Sequence, residues 1–240
     1  MEELVRTEMI IGLDNLNKLK KSKVCILGLG GVGGTAFEAI VRGGVGEVTV
    51  IDNDVFSISN LNRQILSSYD SVGKSKVLVA FERAKSINKS CKINYYDEFI
   101  DASNIERLIP KDTDVVMDAI DSRNSKVEVI RYCKDNNIEI ISSMGTGNKL
   151  DPTKLKIMDI YETNMCPLAK IIRRDLRKLD IKSLNVISSD EKPIKPEFIL
   201  EENSVSLSNK KVSPGSMSYL PPISGYMMAG YVINYLIENK

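Results

Sequence analysis

The 240-residue chain contains no histidine and no tryptophan, and aromatic residues make up only 6% of it. Without imidazole the commonest general base is missing, and with it every Ser-His or Cys-His nucleophile, so any chemistry must rest on carboxylates, amides and fixed positive charges. The four cysteines, Cys25, Cys91, Cys133 and Cys166, are scattered and form no CxxC pair. That spacing argues against a zinc site and against a secreted disulfide framework, and fits a reducing compartment. Long apolar runs are lacking too: the longest candidate, residues 223–237, falls short of the ~20 residues a bilayer span needs. Residues 1–20 mix charges into every stretch, so no signal-peptide core is expected and the cytoplasm is the expected location. The formal net charge is only +1, so attraction to nucleic acid would have to come from a local cluster.

What is present is the balance of an ordinary globular protein, with 42% hydrophobic and 27% charged residues. The length suits one main domain, 1–240, with elaborations. Val24 to Leu27, Val48 to Ile51, Ile93 to Tyr96, Val115 to Met117 and Ile138 to Ile141 read as short strands. Helical stretches alternate with them at 35–41, 75–87, near 103–108 and at 124–136. Apolar runs without polar alternation indicate strands covered on both faces, hence an α/β, doubly wound, mostly parallel Rossmann-like sheet. Residues 1–145 form this core, and 146–240 read as an elaboration: a strand at 155–160, a helix at 168–179, a strand at 184–187 and an apolar helix from Gly225 to Ile237, entered through Pro221-Pro222. Between them, 189–216 is rich in Ser, Asn, Lys, Glu and Pro and reads as a mobile excursion or crossover.

The first strand runs directly into Gly28-Leu29-Gly30-Gly31-Val32-Gly33 and then a helix. Glycines at this spacing permit a tight turn, let backbone amides approach a phosphate, and bring the helix close to the sheet. An NAD or FAD enzyme would show the same loop, and Asp52, about 20 residues on, could hold a ribose in either case. The following segment separates the alternatives. It continues from Asp52 through Asp54, Asn60, Asn62, Arg63 and Gln64 to Lys76. Hydride transfer needs none of these groups, whereas a triphosphate needs a planar arginine fork, a lysine charge and fixing amides. Asp118 and Asp121 end the fourth strand, where open α/β sheets bind ligands, and hard oxygen ligands there would suit magnesium.

This combination resembles the adenylation motifs of the ubiquitin-activating-enzyme-like superfamily, which includes the molybdopterin-synthase and thiamine-biosynthesis adenylyltransferases. The resemblance covers residues 1 to about 145. It implies ATP and Mg2+ as cofactors, with the nucleotide held by Gly28, Gly30, Gly31, Gly33, Asp52, Asp54, Asn60, Arg63 and Lys76. It further implies Arg63, Lys76 and Asp121 as catalytic residues, Asp121 as the magnesium-linked acid, and Arg6 as a group reaching the partner's nucleotide in a homodimer.

Carrier-protein members of the superfamily commonly hold zinc through two CxxC pairs, which this chain lacks. Segments 147–152, 159–163 and 167–170 instead resemble the branch that dehydrates threonylcarbamoyladenosine in tRNA, although relatives often have Asp where this chain has Cys166. The implied reaction is adenylation of the threonyl carboxylate, then intramolecular closure with loss of AMP. Lys170, Arg173, Arg174, Arg177 and Lys178 recur at helical spacing as a basic stripe that could track phosphates, or as an ordinary solvated face. Three other expectations compete: an adenylyltransferase for a small sulfur-carrier protein, an NAD-dependent oxidoreductase, and a nucleotide-binding scaffold for sulfur-relay partner proteins.

Overall fold

The computed structural model describes residues 2–198 and 214–239. The central part of the polar segment, 199–213, lies outside the described residues. Fourteen elements follow one another: α1 (Val5–Lys20), β1 (Lys23–Leu27), α2 (Gly33–Gly43), β2 (Glu47–Ile51), α3 (Lys76–Ile87), β3 (Lys92–Tyr96), α4 (Ile105–Leu108), β4 (Val115–Asp118), α5 (Arg123–Asp135), β5 (Glu139–Ser143), β6 (Leu155–Asp159), α6 (Pro167–Lys178), β7 (Asn185–Ser189) and α7 (Leu220–Asn239).

The strands form one seven-stranded sheet in the order β3-β2-β1-β4-β5-β7-β6, parallel except for β6, which runs antiparallel to β7. This is the doubly wound architecture the sequence predicts. Residues alternate along each buried strand between two cores. Val24 and Ile26 of β1 join Phe37, Ile40, Val77 and Met228 on one face, while Cys25 and Leu27 join Leu108, Val129, Ile130 and Ile172 on the other. Helices cover both faces, which is why the strands read as continuous apolar runs. The chain builds outward from β1 to β3, then returns to place β4 on the other side of β1. That reversal opens a crevice at the carboxyl ends of β1 and β4, the position where such sheets take ligands.

Two elements depart from expectation. Helix α7 begins at Leu220, so Pro221 and Pro222 lie inside its first turn instead of before it. A first turn tolerates proline because its N–H groups have no partner within the helix. Helix α1 was not anticipated, and it breaks at Gly12, whose φ of 79° and ψ of 163° leave the helical region. The elaboration adds β6 and β7 to the same sheet, α6 covers one face, and α7 packs along α2. That packing is close: a Cβ at Gly225 would lie 2.4 Å from the carbonyl oxygen of Val32.

Candidate active site

The glycine loop opens at Gly28, where φ is +83° and an added Cβ would stand 2.9 Å from the Ala119 carbonyl oxygen, leaving no room for a side chain. A Cβ at Gly33 would meet the Gly28 carbonyl oxygen at 1.8 Å, so α2 can start only with glycine there. Gly31 is pressed between Pro221 and the backbone of Arg63. Gly30 differs. Its absent side chain would meet nothing nearer than 4.0 Å, and that neighbour is the amide nitrogen of Gln64. Three glycines thus serve the chain's own packing, and the fourth keeps open space beside the amino end of α2, where backbone amides favour an anion.

Beside this space, the carboxyl end of β2 carries Asp52. One carboxylate oxygen accepts the Leu29 N–H at 2.5 Å and the other accepts the Asp54 N–H at 2.8 Å. Asp52 therefore ties the strand end to the glycine loop. Burial pushes its carboxyl above the usual range, opposed by the ammonium of Lys76 and by the two backbone amides. Lys76, at the start of α3 and itself buried, places Nζ 2.8 Å from Asp54 and 3.9 Å from Asp52.

The connection between β2 and α3 supplies the next wall. The Asn60 side-chain oxygen accepts the Ser57 N–H at 3.1 Å and caps its own turn. Arg63 donates to the Ser59 carbonyl at 2.7 Å and to the Asn62 side chain at 2.9 Å. Asn62 in turn donates to the Ser216 carbonyl, which ties this wall to the segment entering α7. Two buried side-chain oxygens among the described residues have no hydrogen-bond partner, Gln64 Oε1 and Ser75 Oγ, and both belong to this connection. Gln64 is 7% exposed, against Gly30. Buried unpaired acceptors are rare in a finished core and mark a place where a ligand or water belongs. Gln64 has no assigned role in the sequence pattern, and its place directly after Arg63 is the signal that marks it.

The acids at the end of β4 part company. Asp118 is fully buried and bonds Lys126 Nζ at 2.7 Å, Ser142 Oγ at 2.6 Å and the Ile120 N–H at 3.1 Å. It has no path to a metal, so the expectation of two acids offered for magnesium is corrected: Asp118 is a structural anchor. Asp121, past the strand end, is exposed on the crevice side of α5's entrance. Among the described residues no three His, Cys, Asp or Glu side chains gather into a metal cage. Magnesium usually takes one or two carboxylates and completes its shell with phosphate and water oxygens, so a lone Asp121 fits that ion only together with a nucleotide.

Arg6 is exposed on α1, and within its own chain the fold holds it away from these groups. Its near neighbour Leu4 packs on Gly44 at the carboxyl end of α2, about 16 Å of helix from the glycine loop. The four cysteines are all buried. Burial pushes the thiols of Cys25 and Cys133 far up and that of Cys91 up to about 12, so none of these three supplies a thiolate. Cys166 caps the entrance of α6, 3.5 Å from where a Gly145 Cβ would stand. Lys149, which the sequence did not flag, is buried nearby with Nζ on the Gly145 and Ser189 carbonyls at 3.1 and 3.5 Å. The basic stripe needs one correction: Arg173 turns inward onto Thr163 and Ile160, bracing the loop before α6.

A glycine loop and a charged cluster at the topological switch point define a nucleotide-binding protein of the doubly wound class. The chain belongs to the ThiF family, whose model matches residues 4–240, and within it groups with the tRNA threonylcarbamoyladenosine dehydratases. It is 36% identical to the dehydratase of that name from Bacillus subtilis, over all of this chain and 96% of the relative. Among solved structures it is similar to the Escherichia coli tRNA N6-threonylcarbamoyladenosine dehydratase in complex with AMP, with a TM-score of 0.89 and 27% identity over 99% of this chain and 94% of that one. The ATP complex of the same enzyme matches with a TM-score of 0.88.

Proposed function

We propose that this chain is an ATP-dependent dehydratase that adenylates the threonyl carboxylate of threonylcarbamoyladenosine in tRNA and promotes its closure to a ring. The observation that carries the reading is the cluster at the switch point: Asp52 tied to the glycine loop, Lys76 beside it, and open space at Gly30 flanked by the partnerless Gln64 Oε1. The full-length similarity to dehydratases supplies the substrate.

A carboxylate resists attack because its charge repels nucleophiles and oxide is a poor leaving group. In the proposed reaction the substrate carboxylate oxygen bonds to the α-phosphorus of ATP as the bond to pyrophosphate breaks. A heteroatom of the same threonylcarbamoyl group then attacks the activated carbonyl carbon and AMP leaves, so the nucleoside loses one water. The tethered substrate brings its own nucleophile, with the advantage of any intramolecular step. No histidine or thiolate is required; the chain has no histidine, and its four cysteines are all buried.

Asp52 positions the loop and ribose, Asn60 offers its amide, and Arg63 and Lys76 balance the charge gathering at phosphorus. Lys76 is held mainly by Asp54, whose side chain is 63% exposed, so an arriving triphosphate competes with Asp54 for that cation. Magnesium, when bound through Asp121, would neutralise phosphate charge. Arg6 acts across a homodimer, and the exposed apolar face of α1 beside it supports such a contact. The enzyme works in the cytoplasm; no helix among the described residues is long and apolar enough to cross a membrane. Nucleoside mass spectrometry of modified tRNA treated with the protein and magnesium-ATP tests the whole reading: loss of one water from the threonylcarbamoyl nucleoside is expected, and an unchanged mass rejects it.

A further inference from the structure

Helix α6 has a buried face, formed by Ala169, Ile172 and Leu176, and an exposed one that carries Lys170, Arg174, Arg177 and Lys178. Over residues 167–182 there are six cations and two acids, whereas the whole chain carries a net charge of only +1. The positive surface is therefore local, and the remainder of the protein is slightly acidic. Of the two acids, Asp175 is buried beneath Arg123, which donates to it at 2.6 Å and holds its carboxyl below the usual range. Asp180 pairs with Lys182. Cations in the last turn of a helix also suit its dipole, but that accounts for Arg177 and Lys178 only; Lys170 and Arg174 stand outside that turn, and Arg174, with Nε 3.8 Å from Asp175, keeps an exposed side chain.

The helix also has a definite placement. Its entrance at Cys166 sits against Gly145, just past the carboxyl end of β5 and so on the crevice side of the sheet. Its exit lies at the opposite end, because the chain then enters β7 at Asn185, paired with the end of β6 at Asp159. The exposed face thus descends about 18 Å from the rim of the site. At the bottom, the Arg177 guanidinium stacks 5.4 Å from the Tyr161 ring centroid, and the two residues line a shallow cavity of about 220 Å³ with Asp180, Ile181 and Lys182. The Tyr161 hydroxyl donates to the Ile181 carbonyl, leaving the ring beside Arg177 as the platform.

We propose that this face is the RNA-docking surface: Lys170, Arg174 and Lys178 follow the phosphates flanking the reacting nucleotide, and the Tyr161–Arg177 shelf takes an unpaired base of the same RNA. The proposal rests on the dehydratase reading, since only a nucleic-acid substrate calls for such a track. Cations suit the phosphates, and a flat ring topped by a guanidinium is the kind of platform that receives a splayed base. A face used this way keeps one end at the catalytic rim, so the modified adenosine can enter the crevice while its neighbours stay on the helix.

The test compares unmodified full-length tRNA binding across salt concentrations for wild-type protein, Arg174→Glu/Lys178→Glu, Tyr161→Leu and Tyr161→Phe, with ATP binding measured alongside. Arg174→Glu/Lys178→Glu should weaken tRNA binding by tenfold or more and lower the slope of log affinity against log salt by about 2, with ATP binding unchanged. Tyr161→Leu should weaken it by about tenfold and Tyr161→Phe should retain wild-type affinity. Charge-reversed protein that binds tRNA with wild-type affinity and salt slope would overturn the docking face while leaving the dehydratase reading intact. Wild-type protein that neither binds tRNA nor dehydrates its nucleoside would overturn both.

Discussion

Lys126 and Asp118 meet at 2.7 Å with both side chains wholly out of solvent. The pair is fully served: Asp118 also accepts from Ser142 Oγ and the Ile120 N–H, and Lys126 donates to the Ser143 carbonyl. It locks the ends of β4 and β5 to α5 directly beneath Asp121. Removing one partner of such a pair strands a buried charge, so Lys126→Met should lose about 3–5 kcal/mol of stability by denaturant titration. Asp118→Leu/Lys126→Met should recover most of that loss. A single variant within about 1 kcal/mol of wild type would show that the pair contributes little to stability.

Asp121 is exposed just past the end of β4 and Arg63 is half-buried beside Gly31, so neither is among the fully buried braces of the sheet. Arg63→Ala and Asp121→Ala should therefore unfold like wild type yet lose at least about 100-fold in dehydration of tRNA nucleoside, the scale of removing a group that stabilises transition-state charge. Full activity in Asp121→Ala would remove that residue from the site.

Gln64 separates binding from folding more sharply. Its Oε1 is buried without a partner, so the residue costs stability in the ligand-free protein. Gln64→Leu should hold or raise the melting temperature while weakening ATP by about tenfold in calorimetry. A variant that melts lower and binds ATP unchanged would make Gln64 a packing residue.

Much of this site was legible because its requirements are written in backbone chemistry. Only glycine fits Gly28, where φ is left-handed and a Cβ would meet the Ala119 carbonyl, and Gly33, where a Cβ would stand 1.8 Å from the Gly28 carbonyl oxygen, so the loop is visible in the sequence itself. The two cores are visible likewise, through apolar runs without polar alternation. Burial of individual charges was not legible. Asp118 and Asp121 look alike in sequence, and what divides them is a lysine eight residues on from Asp118 that swings beneath the strand. Helical spacing placed Arg173 in the stripe, but the Thr163 and Ile160 oxygens that draw it inward belong to a loop ten or more residues earlier. Helix α1 was hidden because Gly12 interrupts it and because Met9, Ile10 and Leu13 point outward, against the usual amphipathic pattern.

Lys149 gives the protein an alkaline dependence. Burial pushes its ammonium below the usual lysine range, and the nearby Cys166 and Glu191 only partly oppose this. The folded state therefore releases the proton more readily than the unfolded chain, whose lysine titrates near 10.5. The penalty for burying the charge is present below the folded value and is relieved as pH rises from there toward 10.5. Against Lys149→Met, the wild type should gain relative stability between neutral pH and pH 10 in paired denaturant titrations. A constant difference across that range would show that Lys149 keeps its proton throughout.

The outward face of α1 supplies the last prediction. Met9 is 80% and Ile10 is 86% exposed, with Val5 and Leu13 beside them, an apolar strip that a lone chain would have little reason to keep in water. Arg6 lies on the same helix, far from its own glycine loop. A second copy covering the strip, with its own Arg6 carried to the neighbouring nucleotide, accounts for both facts, because a two-fold contact uses the same patch on each chain. Sedimentation should show twice the 26.7 kDa chain mass for wild type and a single chain for Ile10→Asp. Arg6→Ala and Arg63→Ala should each be dimeric and inactive. Mixed after unfolding and refolding together, they should regain about a quarter of wild-type activity, since half the dimers are hybrids and each hybrid has one intact site. If the refolded mixture stays as inactive as its parents, Arg6 does not act across the interface.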